Sequence, residues 1–150
     1  MSTLKQQLTD DMKAAMKAKE KQRLGVLRLA LAALKQVEVD ERKELTDTDV
    51  LAVLDKMIKQ RRDSISQYEA ANRQDLADQE KYEVDVLQGY LPAAMDENEL
   101  EAVIKEIIAA TGAASMQDMG KVMNELRPKV QGRADMGMVS QKVKSLLSGA

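Results

Sequence analysis

The chain has no histidine, cysteine, tryptophan or phenylalanine, and its only aromatic side chains are those of Tyr68, Tyr82 and Tyr90. Each absence excludes chemistry. Without histidine there is no imidazole to act as a general base near neutral pH or as a metal ligand. Without cysteine there are no disulfides, thiolate nucleophiles, iron–sulfur clusters or structural zinc sites. Ser-His-Asp and Cys-His triads cannot be built, nor can non-haem-iron or zinc-protease motifs. Carboxylates, lysines and serines remain available for chemistry. Long apolar runs are also missing: the richest stretch, residues 24–34, contains Arg28 and is too short to span a bilayer. The start, Met1-Ser2-Thr3-Leu4-Lys5, lacks the apolar centre of a signal peptide. These features predict a soluble, cytoplasmic protein that meets no membrane.

What is present fits a globular helical protein. The 150 residues suffice for one domain or two small helical ones, and 44% of them are apolar. The net charge of −2 hides a segregation. Residues 1–35 hold 8 basic and 3 acidic side chains, residues 36–101 hold 8 and 18, and residues 102–150 hold 7 and 4. Basic ends around an acidic middle suggest an anionic partner for the ends, although helix surfaces are charged in any case.

Helical spacing dominates the pattern. Leu4, Leu8, Met12 and Ala15 form one stripe, with Thr3 as the expected N-cap. Leu24, Leu27, Leu31 and Leu34 form a second, widened by Val26, Leu29, Ala30 and Ala33, which places this helix at the centre of a bundle. Gly25 suggests a boundary near its start. Residues 38–49 read as a polar loop, with Asp47 or Thr48 capping a helix that carries Leu51, Leu54, Ile58, Ile65 and Tyr68. Arg61 falls in that stripe, with its stem along the bundle and its head expected in solvent. A further helix ends near Gly89, and Pro92 breaks the chain there. Three short helices follow. The first opens on the acidic Asp96-Glu97-Asn98-Glu99 and stops at Gly112; the second starts at Ser115 or Asp118 and contains Pro128; the third runs from Asp135 to Ser148-Gly149. The expected fold is all-α: an N-terminal helical bundle, residues 1–90, followed by a compact three-helix C-terminal unit, residues 93–150.

The acidic group Glu38, Asp40, Glu41 and Glu44 could hold a hard cation, but it lacks EF-hand spacing and reads as a solvated loop. No phosphate loop or dinucleotide fingerprint occurs. No metal site, cofactor or catalytic residue is therefore assigned. The ten methionines read as core filling, with an adaptable partner groove as the alternative. The C-terminal stretch is more specific. Between Gly120 and Leu147, Lys121, Arg127, Lys129, Arg133, Lys142 and Lys144 are opposed only by Glu125 and Asp135. Gly120 and Gly132 would let a ligand or a backbone approach closely, the alternatives being tight helix packing and an ordinary helix stop. Helix N-termini suit phosphate. Together these eight positions (Gly120, Lys121, Arg127, Lys129, Gly132, Arg133, Lys142 and Lys144) form a candidate surface for the backbone of a folded RNA.

The blocks Met119-Gly120-Lys121-Val122-Met123, Pro128-Lys129-Val130 and Gly132-Arg133-Ala134-Asp135, with Val139 and Val143-Lys144, resemble the YqeY family. Leu91-Pro92 and the run Arg23-Leu24-Gly25-Val26-Leu27-Arg28-Leu29 fit the same pattern, so the resemblance covers the whole chain. The C-terminal part is similar to the tail domain of the B subunit of tRNA-dependent amidotransferase. The resemblance implies a tRNA-binding tail, and as partners tRNA and an aminoacyl-tRNA synthetase or amidotransferase component. Three functions follow as expectations. The first is a tRNA-binding accessory protein, non-catalytic by itself. The second is a glutamine-dependent amidotransferase-like carbon–nitrogen ligase, for which the sequence displays no ATP site or amidase nucleophile. The third is a protein-interaction module that uses the acidic middle.

Overall fold

The computed structural model describes residues 2–148, so Met1 and the Gly149 of the expected last helix stop lie outside the described residues. The described residues form seven α-helices and no strand: α1 (Thr3–Lys17), α2 (Lys21–Glu41), α3 (Asp47–Ala70), α4 (Gln74–Gln88), α5 (Glu97–Thr111), α6 (Met119–Val130) and α7 (Met136–Leu147). A 3-10 turn, Met116–Asp118, leads into α6. The all-α expectation is met. The chain divides into two compact units, one up to Leu91 and one from Pro92.

In the first unit α1–α4 enclose a core of Leu8, Leu27, Leu34, Leu54, Ile58 and Leu87, with Val50 and Leu45 beside them. Burying such side chains contributes about 1.5–3 kcal/mol each. Polar groups cross between the helices. The Ser2 hydroxyl caps α1 by accepting from Lys5 N–H at 3.1 Å and donates to Asp47 at the start of α3. Asp47 also accepts from Leu4 N–H at 3.1 Å, and these donors hold its carboxyl below the usual range. Lys5 pairs with Glu38. The Tyr90 hydroxyl donates to Asp11 at 2.5 Å, and burial together with that carboxylate raises the phenol's pKa.

Several details differ from the sequence reading. The N-cap of α1 is Ser2, one residue before Thr3. Gly25 marks no boundary, because α2 runs unbroken from Lys21 to Glu41. The expected loop at residues 38–49 begins only after Glu41, so Glu38, Asp40 and Glu41 are helical and Glu38 is held by Lys5. Thr46 caps α3 with a full capping box, accepting from Asp49 N–H while Asp49 accepts from Thr46 N–H. The Arg61 head is turned into the bundle and not out to solvent. It donates to the Met57 carbonyl at 3.2 Å and to Glu83 at 3.3 Å, with side-chain exposures of 15% and 11% for the pair, and its Nε is buried without a partner. Burial and the neighbouring Glu83 push the carboxyl of Glu80 above its ordinary range.

The second unit buries Leu100, Ile104 and Ile107 of α5, Val122, Leu126 and Val130 of α6, and Val139, Val143 and Leu147 of α7. These recur every three or four residues, one stripe per helix. Asp96 caps α5, and Gly112 ends it in the left-handed region at φ +70. Pro128 sits in the last turn of α6 without ending it.

Candidate functional site

The basic positions of the second unit fall on two helices and the turn between them. On α6, Lys121, Arg127 and Lys129 are exposed, Lys121 opposite the buried stripe Val122, Leu126 and Val130 and the other two along its flanks. At 100° per residue Lys121 and Arg127 lie about 120° apart and Lys121 and Lys129 about 80° apart. They spread over the outer half of the helix and form no narrow line. Arg127 and Lys129 also occupy the last turn of α6, and Lys144 that of α7, where a cation complements the helix dipole. Lys144 is exposed. Lys142 is half-buried and lines a pocket with Glu101, Met138, Gln141, Ser145 and Leu146.

Arg133 has a different place. Its Nε donates to the Ala93 carbonyl at 2.8 Å, its guanidinium faces Glu99 at 3.7 Å, and its own carbonyl accepts from Met95 N–H at 2.9 Å. Arg133 thus fastens residues 93–95 to the α6–α7 turn. Its Nε–H is committed to the Ala93 carbonyl, and Glu99 balances its charge.

The two glycines separate as well. Gly132 adopts φ +79, a conformation that side chains rarely take, which gives it a backbone reason. Gly120 is exposed in the first turn of α6, and a Cβ there would meet nothing within 4 Å. Tight packing therefore does not account for Gly120.

The start of α7 is capped by a carboxylate, and that of α6 lies beside one, so neither suits phosphate in the way the sequence suggests. Asp118 precedes α6 and accepts from Ala114 N–H at 3.0 Å and Ser115 N–H at 3.3 Å, which with nearby Lys121 lowers its pKa. Asp135 caps α7 by accepting from Gly137 N–H at 3.0 Å. A carboxylate stands at each start, so an anion would have to rely on the side-chain cations. Counted by unit, neither part is basic: the first holds 16 basic and 17 acidic residues, the second 7 and 8. The positive charge belongs to α6 and α7, and the acids of the second unit crowd the first turns of α5. Among the described residues no three carboxylates gather closely enough to hold a metal ion.

Comparison with known proteins follows the same span. A family model described as Yqey-like protein matches residues 5–147. The protein "Altered inheritance of mitochondria protein 41, mitochondrial" of Pyrenophora tritici-repentis is 29% identical over 144 residues, which cover 93% of this chain and 78% of the relative. Its namesake in Vanderwaltozyma polyspora is 29% identical over 146 residues, 92% and 78% of the two chains. That of Kluyveromyces lactis is 35% identical over 105 residues, 67% and 56%. These names correct the cytoplasmic location read from the sequence: the relatives are mitochondrial. The sequence reading could not separate the two compartments, because a mitochondrial transit peptide has no apolar core to find.

Proposed function

Because the chain belongs to the Yqey-like protein family, we propose that it is a tRNA-binding accessory protein, non-catalytic by itself, that holds the RNA backbone with the outer faces of α6 and α7. The observation that carries this reading is the set of exposed cations Lys121, Arg127, Lys129 and Lys144 on two adjacent helices, none of which joins a salt bridge among the described residues. Cations of this kind bind phosphate without reading bases, which suits recognition of a folded RNA by shape. The unit contains no aromatic residue on which bases could stack. Arg133 is left out of the RNA-facing group, since its donors serve Ala93 and Glu99. Its part is to position the turn between the two basic helices.

The test is a salt titration of affinity for bulk tRNA and for mitochondrial tRNA. Replacing Lys121, Lys129 and Lys144 by Ala should weaken binding and lower the slope of log affinity against log salt by about one for each phosphate no longer neutralised. Affinity and slope that survive the triple replacement would reject the assigned surface.

A further inference from the structure

The helix α2 buries one apolar side and exposes a second row in which Leu29, Ala32 and Val39 are apolar. One side carries Val26, Leu27, Ala30 and Leu34 into the core. The other carries Gly25, Leu29, Ala32, Gln36 and Val39, all exposed. Leu29 is 52% exposed and Val39 62%. Isolated surface leucines are ordinary. These are not isolated, since they recur at alternating steps of four and three, the spacing of a seam between paired helices. The bundle takes up the wide apolar arc of this helix, Leu24, Leu31 and Ala33 included, and leaves Leu29 out of it, in the exposed row.

Two further observations say what the second stripe meets. Gly25 sits inside the helix, where glycine costs about 1 kcal/mol relative to alanine, yet a Cβ there would touch nothing within 4 Å. The bundle itself has no use for the missing side chain, whereas a helix laid along the seam would gain close approach at Gly25 and Ala32. Beside the seam run Lys21, Arg28 and Lys35, seven residues apart and all exposed. None of the three joins an ion pair among the described residues. The opposite wall of the resulting groove is formed by Gln79 and Glu83 of α4.

We infer that the outer face of α2 is a docking seam for an amphipathic helix of another protein, one whose apolar stripe is flanked by a row of acidic residues. A second copy of this chain fits poorly. Antiparallel pairing of α2 with itself would set the basic row against its own twin, and parallel pairing would set it against Val26, Ala33 and Asp40. RNA fits poorly too, because a phosphate backbone gives Leu29 and Val39 no partner.

The test uses the full chain and two fluorescent peptides as long as α2. Both carry leucines at the seam positions; one is flanked by glutamates and the other by lysines. The glutamate peptide should bind saturably, one to one, and roughly tenfold or more tightly than the lysine peptide. Arg28→Glu, or Leu29→Ser with Val39→Ser, should weaken it by a similar factor while the helical circular dichroism stays unchanged. Gly25→Leu should block the seam without lowering the thermal midpoint, since the added side chain enters open space. Equal affinity for the two peptides, no binding, or indifference to Arg28 and Leu29 would overturn the inference. So would self-association through the seam in sedimentation, or tRNA that displaces the peptide and shares its sensitivity to Arg28→Glu. Replacing Lys121 and Lys129 should leave peptide affinity intact, so this inference and the tRNA reading fail separately.

Discussion

The two units handle charge in opposite ways. In the first, polar side chains reach across helices and are consumed by the fold: Lys5 by Glu38, Arg61 by Glu83, Asp11 by Tyr90, Asp47 by Ser2. In the second, Arg133 ties separated segments together, through Ala93 and Glu99. Lys121, Arg127, Lys129 and Lys144 stay on the outside. Nearly equal balances of charge thus serve different ends, cohesion in one unit and an outward surface in the other. A charge count cannot tell the two apart, because it does not register what each group touches.

The sharpest way to break this contrast is to remove Arg61. Arg61→Ala leaves the Glu83 carboxylate nearly buried and unpaired, which should cost the first unit about 3 kcal/mol. Urea denaturation followed by circular dichroism, with amide exchange assigning the loss to α3 and α4, checks this. Arg61→Met with Glu83→Leu should recover most of the stability. A first unit indifferent to Arg61→Ala would mean that its crossing charges do not hold it.

Arg133→Ala is the matching change in the second unit. It removes a charge-assisted hydrogen bond to a carbonyl, and should cost about 1.5 kcal/mol. The loss should appear as faster exchange at Met95 and in the α6–α7 turn, with the first unit unchanged. If tRNA affinity falls more than stability does, Arg133 touches RNA after all.

Acid should separate the units by their caps. The carboxyls of Asp47 in the first unit and Asp118 in the second are both held below the usual range by donated hydrogen bonds. A lowered folded pKa gives stability that is complete above the unfolded value of about 4 and is lost as pH falls through the folded one. Asp47→Asn should therefore flatten the acid limb of the first unit alone, and Asp118→Asn that of the second alone, read residue by residue by exchange. The smallest effect belongs to the outward cations. Lys121→Ala should change stability by less than about 0.5 kcal/mol, as exposed substitutions do, and a larger loss would show that this lysine too is held by the fold.

The helices were legible because 3.6-residue periodicity survives in every core stripe, from Leu8 and Ala15 to Val139 and Val143. Their ends were legible only to within a residue or two. Ser2 caps in place of Thr3, and Thr46 in place of Asp47 or Thr48, because neighbouring hydroxyls and carboxylates all suit a cap and tertiary contacts choose among them. Gly25 misled because open space, not a turn, surrounds it. At the candidate surface the cations could be named from the sequence. The separation of Arg133 from the rest could not, since its partner is the backbone carbonyl of Ala93, forty residues away, and a carbonyl has no residue type to recognise. Asp118 and Asp135 could be named at the helix starts from the sequence, but acidic residues are so common there that they carry no warning about phosphate.

The hydrogen bond from Tyr90 to Asp11 has a consequence for optical work on this chain. All three tyrosines lie in the first unit, and there is no other aromatic residue. Ultraviolet absorbance and intrinsic fluorescence therefore see one unit and are blind to the other. In an alkaline titration Tyr90 should ionise after an ordinary phenol, and its delay should vanish once α1 lets go of Tyr90, which makes it an internal gauge of the first unit's integrity. The second unit needs a chromophore placed in it before its unfolding can be seen in this way.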